Sequence, residues 1–232
     1  MKLVGCCGFG ENRNHYLKRM RLVEVQETQI NAPKPAVLRR WREQAATGFV
    51  FTMRASQIIT HLGDSPAYGR LPKGSKLDLS RCGHFSGSDE VRAAWTRTAA
   101  AAEALQAAAI VFETPASFRP TSANRGKLSA FFESIERPAG AELVWLVRGI
   151  WHEDESRKLC QDLGLILATE RVEDVNMGET AYLRLSGARY SEDDLWSISD
   201  RLADVPKAFC LFNNTNMFRL AQRLQGLLET EG

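Results

Sequence analysis

Two glutamates, a histidine and three arginines are the residues best suited to acid–base chemistry on an anionic molecule. Glu24, Glu113 and His61 are the catalytic candidates, because carboxylate and imidazole groups can transfer protons near neutral pH. The arginines are candidates for binding, since a guanidinium presents a rigid bidentate fork to phosphate or carboxylate. These binding candidates are Arg54, Arg148 and Arg184. Together the six residues predict a site that attracts an anion, with structural ion pairs as the alternative.

A second candidate for anion binding is Asn213-Asn214, which follows the apolar run 209–212. A helical pattern begins at Met217, so this polar pair lies where a strand meets the start of a helix. Free backbone N–H groups at such a start can hold an anion. We therefore hypothesise a phosphate between Gly187 and Asn214, with Arg184 adding charge. The alternative is that the asparagines only cap the helix and bond to the backbone.

Eight short apolar segments must position these residues. They are predicted as strands at 3–7, 22–28, 49–54, 109–113, 143–148, 165–168, 181–187 and 209–212. Helical patterns alternate with them, which is typical of parallel strands joined by right-handed crossovers. Eight such units in 232 residues favour a single (β/α)8 TIM-type barrel over an open doubly wound sheet. In that fold the active site lies at the carboxyl ends of the strands, where the candidate residues occur.

The segment 62–87 is the one irregular region, interrupted by seven glycines and prolines. Its basic residues are Arg70, Lys73, Lys76 and Arg81. Irregular segments of this length within a compact chain are usually functional or mobile. We interpret it as an insertion after strand three that acts either as a basic lid over the site or as a solvated loop.

Composition limits the class of protein. The apolar fraction is 44% and the charged fraction 25%, as expected for a globular domain, and the net charge of +2 indicates no bulk polycation. No apolar run reaches the roughly 20 residues that span a bilayer, and the start does not resemble a secretory signal. Five cysteines without a Cys-x-x-Cys pair fit a reducing compartment. We expect a soluble cytoplasmic protein without membrane partners.

Motifs for specific cofactors are missing from the sequence. No Gly-x-Gly-x-x-Gly follows the first strand, and no phosphate-binding loop or nucleophile elbow occurs. No His-x-x-x-His pair is present, so a divalent metal would have to be assembled from His61, Glu113 and distant carboxylates. We predict no cofactor, with such a metal as the minor alternative.

Several segments occur in an order that resembles the YecE-like family, the domain of unknown function DUF72. They are 23–25, 49–51, 59–61, 113–118, 182–185 and 212–214. The resemblance covers essentially the whole chain and is most specific at Ile59-Thr60-His61 and Phe212-Asn213-Asn214. It implies a TIM-type barrel without an established activity. It also implies that the family's motif positions fall on Glu24, His61, Glu113, Arg148, Arg184, Asn213 and Asn214.

This sequence also departs from the family pattern. An aromatic pair that usually follows Glu24 is replaced by Gln29-Ile30, and a common lysine after strand three is Arg54. Arginine keeps the charge but cannot act as a base at neutral pH.

Two functions stay open. One is binding or conversion of a small phosphorylated or carboxylated molecule by a hydrolase, lyase or isomerase. The other is nucleic-acid binding through the same mouth and the basic 62–87 segment.

Overall fold

The computed structural model describes residues 1–71, 76–174, 179–187 and 189–230. Its strands are β1 (Lys2–Cys7), β2 (Leu22–Val25), β3 (Val50–Arg54), β4 (Ala109–Thr114), β5 (Glu142–Val147), β6 (Ile166–Leu167), β7 (Thr180–Leu185) and β8 (Lys207–Phe212). They form one sheet in the order β6-β5-β4-β3-β2-β1-β8-β7. These eight parallel strands alternate with helices, which confirms the predicted α/β fold of the (β/α)8 TIM type.

The helices follow the strands along the chain. They are α1 (Arg13–Arg19), α2 (Pro35–Gln44), α3 (Gln57–Thr60), α4 (Asp89–Leu105), α5 (Ser122–Ser134), α6 (Glu153–Leu163), α7 (Glu192–Ala203) and α8 (Met217–Thr230). Short 3₁₀ helices occupy Glu27–Gln29, Pro66–Arg70, Leu79–Arg81 and Val172–Asp174. Several helix starts carry the expected caps. The Ser88 hydroxyl accepts from the N–H of Val91 at 3.2 Å, and Ser191 with Asp194 forms a capping box.

By its internal packing the chain divides into two compact units. The first consists of residues 1–25, 43–52 and the chain from 168 onward. In it β1 pairs in parallel with β2 and β8, and β7 pairs with β8. The register sets Cys7 opposite Glu24 and Arg184 opposite Leu211. Gly5 permits the close approach of β1 and β2, because a Cβ there would lie 2.1 Å from the carbonyl oxygen of Leu22.

The second unit comprises residues 26–42 and 53–167. Here β4 pairs with β5, and β5 pairs with β6. Its core is built around an aromatic cluster in which Phe85 packs against Phe112, Phe118, Phe131 and Phe132, with ring centroids 5.3 to 6.3 Å apart. Burying such rings is the main source of stability for a core of this kind.

The observed elements differ from the prediction at a few places. Helix α1 was not predicted, because only two of its seven residues, Tyr16 and Leu17, are buried and no apolar stripe marks it. Strand β6 is shorter than the predicted 165–168. Strand β5 ends at Val147, so Arg148 lies just beyond the strand and not within it. In the short connection after β6, where an abbreviated or missing helix is predicted, the described part contains one 3₁₀ turn, and residues 175–178 lie outside the described residues.

The irregular segment 62–87 contains packed structure. Its described part includes two 3₁₀ helices and a buried run, Cys82 to Phe85. That run is bonded to α3, since the N–H of Gly83 donates to Ile58 and that of Phe85 donates to Ile59. Lys73 lies outside the described residues. The lid stays a prediction, but its last residues belong to the core of the second unit.

Candidate functional site

Each predicted site residue from a strand lies at a carboxyl end. Glu24, Glu113 and Arg184 are the penultimate residues of β2, β4 and β7, and Arg54 is the last of β3. Arg148 and Asn213 directly follow β5 and β8. In a (β/α)8 fold these are the positions from which catalytic and binding side chains project.

In the first unit Glu24 and Arg184 form a buried ion pair. Arg184 Nε lies 3.2 Å from Glu24 Oε1, and the two side chains are 5% and 0% exposed. The same Nε–H donates to Cys7 Sγ at 3.2 Å. A charge pair this far from solvent is tolerated only when its hydrogen bonds are satisfied, so both residues are held in fixed positions.

Tyr182 completes this arrangement. Its hydroxyl donates to Glu24 Oε2 at 2.7 Å and lies 2.9 Å from the hydroxyl oxygen of Thr52. Burial and, next, the charge of Glu24 raise the pKa of Tyr182 well above its ordinary value, so the phenol stays protonated. Both oxygens of Glu24 therefore have protein donors. The sequence analysis missed Tyr182, although this residue shares a strand face with Arg184. A tyrosine within an apolar strand is ordinarily interpreted as a core residue.

In the second unit two arginines share one carboxylate. Arg54 Nη2 donates to Glu113 Oε2, and Arg148 Nε donates to Glu113 Oε1 at 3.0 Å. The side chain of Arg54 is 4% exposed, that of Glu113 18% and that of Arg148 32%. Two guanidinium charges against one carboxylate leave a net positive charge of one in this cluster.

Arg54 is held from several sides. Its Nη1 donates to Gln26 Oε1 at 3.4 Å, and the Thr28 hydroxyl donates to its carbonyl oxygen at 2.7 Å. Its Nε is buried and has no hydrogen-bond partner within the described residues. An unsatisfied buried donor costs about 1–3 kcal/mol, and such a cost in a native structure needs an explanation such as a functional role.

His61 follows α3 and lies near this cluster. Its Nδ1 is 2.8 Å from the hydroxyl of Thr60, and the described part of the chain offers no partner to Nε2. Burial lowers the pKa of His61, while the charge of Glu113 raises it and that of Arg54 lowers it. The imidazole is therefore neutral near pH 7, with Nδ1 oriented by Thr60 and Nε2 available for proton exchange.

His84 is a second histidine of this neighbourhood that sequence reasoning treated as isolated. Its Nε2 lies 3.3 Å from the hydroxyl of Ser117, and its ring packs edge-on against Phe118. It adopts φ of +48°, next to Phe85 at +53° and after Gly83 at +86°. Burial lowers the pKa of His84. No sequence signal marked it, because the turn that brings it close to α3 is irregular.

Asn213 and Asn214 follow β8 in the first unit, and Asn214 forms hydrogen bonds with neighbouring backbone groups. Asn214 Oδ1 accepts from the N–H of Asn216 at 3.0 Å, and its Nδ2 donates to the carbonyl oxygen of Gly187 at 3.0 Å. The N–H of Gly187 donates to the hydroxyl of Tyr190, also at 3.0 Å. The N–H of Asn216 at the helix start and the N–H of Gly187 on the other side of the proposed phosphate position thus both have protein acceptors. The capping alternative describes these contacts.

The basic residues of 62–87 are partly neutralised. Arg81 pairs with Asp89 at 3.1 Å and with Glu90 at 2.9 Å, whereas Arg70 and Lys76 are exposed.

Among the described residues, no group of three or more His, Cys, Asp or Glu is arranged to hold a metal ion. Within the same residues no helix is both long and apolar enough to cross a bilayer.

Comparison with known proteins supports the fold. The sequence model of a family described as protein of unknown function DUF72 matches residues 9–232. No curated protein matches the chain. Two crystal structures of a DUF72 family protein from Enterococcus faecalis V583 are similar, both with a TM-score of 0.69. The first is 14% identical and covers 99% of this chain and 98% of its own. The second is 12% identical, with 99% and 96% covered. Identity this low carries the fold alone.

Proposed function

The chain belongs to the DUF72 family of proteins of unknown function, and we propose that it binds a small phosphorylated or carboxylated molecule through the cluster Arg54–Glu113–Arg148. The observation that carries this proposal is the sharing of one carboxylate by two guanidinium groups. A bound anion would balance the remaining positive charge. Arginine is suited to this because its fork matches the oxygens of phosphate and carboxylate.

Arg148 is the contact we assign to the ligand. Its side chain is 32% exposed, whereas Arg54 is almost wholly buried. Glu113 engages both arginines, one with each oxygen, and so fixes their orientation. Preorganised cations of this kind lose little freedom on binding, which favours affinity. Arg54 then contributes charge from within the protein, and Arg148 provides the accessible guanidinium.

His61 is the group that we assign to proton transfer on the bound molecule. Its neutral imidazole can accept a proton at Nε2, and its pKa responds to the charges of Glu113 and Arg54. A hydrolase, lyase or isomerase reaction is consistent with one such acid–base group. The predicted roles of Glu24, Arg184, Asn213 and Asn214 stay predictions.

Thermal unfolding in a titration with inorganic phosphate, at constant ionic strength, tests the proposal. At a hundredfold excess over Kd, a bound anion stabilises the native state by about 2.7 kcal/mol. For a chain of this size the midpoint should rise by roughly 5–11 °C. A parallel titration with acetate shows whether the site binds a carboxylate as well as phosphate. Arg148→Gln should abolish most of the rise. Arg97→Gln removes an exposed arginine of α4 and should keep it.

Two results would count against this function. A wild-type midpoint that is insensitive to both anions up to tens of millimolar would remove the ligand class. Equal losses in the Arg148 and Arg97 variants would show that the effect is only general charge screening. Binding to an oligonucleotide that falls about 10³-fold between 50 and 200 mM salt would instead support the nucleic-acid alternative.

A further inference from the structure

A cavity of about 880 Å³ lies between helices α4 and α5 of the second unit. Its volume falls in the range of roughly 300–1,000 Å³ that is typical of small-molecule sites. None of the residues in the Arg54–Glu113–Arg148 cluster lines it. The cavity therefore shares no lining residue with the proposed anion site.

The cavity has an aromatic floor and walls of small side chains. Phe85, Trp95 and Phe131 form the floor and are 2–7% exposed, with the Trp95 and Phe131 rings 6.0 Å apart. Ala99 of α4 and Ala130 of α5 stand on the two walls. Small residues on facing helices leave the space open. The aromatic floor favours an apolar occupant.

The cavity is elongated along α4. Its lining on that helix runs from Val91 to Glu103, which corresponds to a length of about 18 Å at 1.5 Å per residue. A bulky compact ligand would use only part of such a space. An extended chain would fill it.

The charges at the two ends differ. Lys127 is the first residue of α5 in the lining, which places it at the end formed by residues 85–87, and its charge lowers the pKa of the neighbouring His84. At the other end stand Glu103 and Glu136. Of the three cations in the lining, Arg92 pairs with Asp89 and Arg137 donates to two backbone carbonyls. Lys127 has no ion-pair or hydrogen-bond partner among the residues that the structure describes. One end can thus receive an anionic head, and the other repels one.

We propose that the α4–α5 cavity binds a free single-chain amphiphile, a monocarboxylate whose head lies at Lys127 and whose apolar chain extends over Trp95 toward Glu103. The aromatic floor favours an apolar chain, and the elongated form favours an extended one. The unpartnered Lys127 favours an anionic head. Together they define a medium-chain fatty carboxylate. Dodecanoate, whose extended chain is of about the length of the cavity, is the probe.

Isothermal titration of dodecanoate below its micelle concentration tests the proposal. We expect one molecule bound per chain. Ala99→Trp places a large ring in the cavity and should weaken binding at least tenfold. Ala93→Trp makes the same change on α4 at an exposed position outside the lining, and should alter the affinity less than twofold. Absence of binding up to the solubility limit, or equal effects of the two variants, would overturn the site.

The carboxylate head has a separate test. Lys127→Gln should weaken dodecanoate about tenfold and leave dodecanol within twofold of wild type, because only the acid carries a charge. Lys158→Gln, on an exposed position of α6, serves as the control. If dodecanoate and dodecanol bind equally well, or if the two lysine variants behave alike, the assignment of an anionic ligand is wrong.

Discussion

The hydroxyl of Tyr182 lies 2.7 Å from Oε2 of Glu24, and neither side chain is exposed. Glu24 also forms an ion pair with Arg184 through its other oxygen. A carboxylate without solvent contact stays charged only when protein donors replace water. Tyr182 therefore holds Glu24 in its orientation, and the two residues with Arg184 act as one unit.

Removing the tyrosine hydroxyl should leave Glu24 with one hydrogen bond fewer. We expect Tyr182→Phe to lower the free energy of unfolding by about 1.5–3 kcal/mol, the range for a hydrogen bond to a charged group. Tyr190→Phe is the matched control, since its hydroxyl accepts from Gly187 in an exposed loop. Urea denaturation measures both. Equal losses in the two variants would show that the bond to Glu24 contributes nothing specific.

Breaking the buried pair should be more costly. Arg184→Met removes the guanidinium and leaves Glu24 without its charge partner, so we expect a loss of about 3–5 kcal/mol in the free energy of unfolding. The double variant Arg184→Met with Glu24→Gln removes both charges and should recover part of this loss. Denaturant midpoints of the wild type, the single variants and the double variant give the coupling energy. If the changes in the free energy of unfolding of the two single variants simply add up in the double variant, the two residues do not depend on each other.

The fold could be predicted because its signals are local. The apolar runs of β4, β5 and β8 are short, are bounded by polar residues and alternate with capped helices such as α7. These features belong to the chain near each element. Alternation of strands with helices then restricts the topology to few choices. The predicted strand 181–187 also contains Arg184, which lies next to the last residue of β7.

The pairings within the site could not be predicted in the same way. Glu24 and Arg184 are 160 positions apart, and no property of either sequence neighbourhood states which arginine reaches which glutamate. Sharing of Glu113 by Arg54 and Arg148 depends on side-chain geometry across strands. His84 was missed for another reason. Its backbone is in the left-handed region, which short-range patterns do not predict for histidine.

The two arginines on Glu113 should differ in their effect on stability. Arg54 is buried, so Arg54→Met leaves a partly desolvated carboxylate and should cost about 3 kcal/mol or more. Arg148 is about one-third exposed, and Arg148→Met should cost at most about 1 kcal/mol because water can replace it. Guanidinium denaturation of the two variants makes the comparison. A larger loss for Arg148 than for Arg54 would contradict the division into a structural and a ligand-binding arginine.

The histidine of the cluster should make stability depend on pH. Burial lowers the folded-state pKa of His61 below the ordinary value of 6.5, so the unfolded chain binds the proton more readily. The free energy of unfolding should therefore fall as pH decreases below about 6.5, by at most about 1.4 kcal/mol per pH unit for one histidine. His61→Asn should reduce the slope of the curve between pH 7.5 and 5.5, and the remaining slope includes the contribution of His84, whose pKa burial also lowers. Urea unfolding across this range measures it, and an unchanged slope in the variant would assign the dependence to other groups.

The start of α8 offers a test that separates capping from anion binding. Asn214 accepts from the N–H of Asn216, which directly precedes α8, and donates to Gly187, so Asn214→Leu removes both hydrogen bonds and should cost about 0.5–2 kcal/mol without any anion. If capping is its only role, the phosphate-induced rise in midpoint should be the same in this variant and in the wild type. Asn214→Asp keeps the acceptor for Asn216 but adds a negative charge and loses the donor to Gly187, so it should restore only part of the stability. A phosphate response that is lost in both Asn214 variants yet kept in Arg148→Gln would place the anion at Asn214 and contradict its assignment to Arg148.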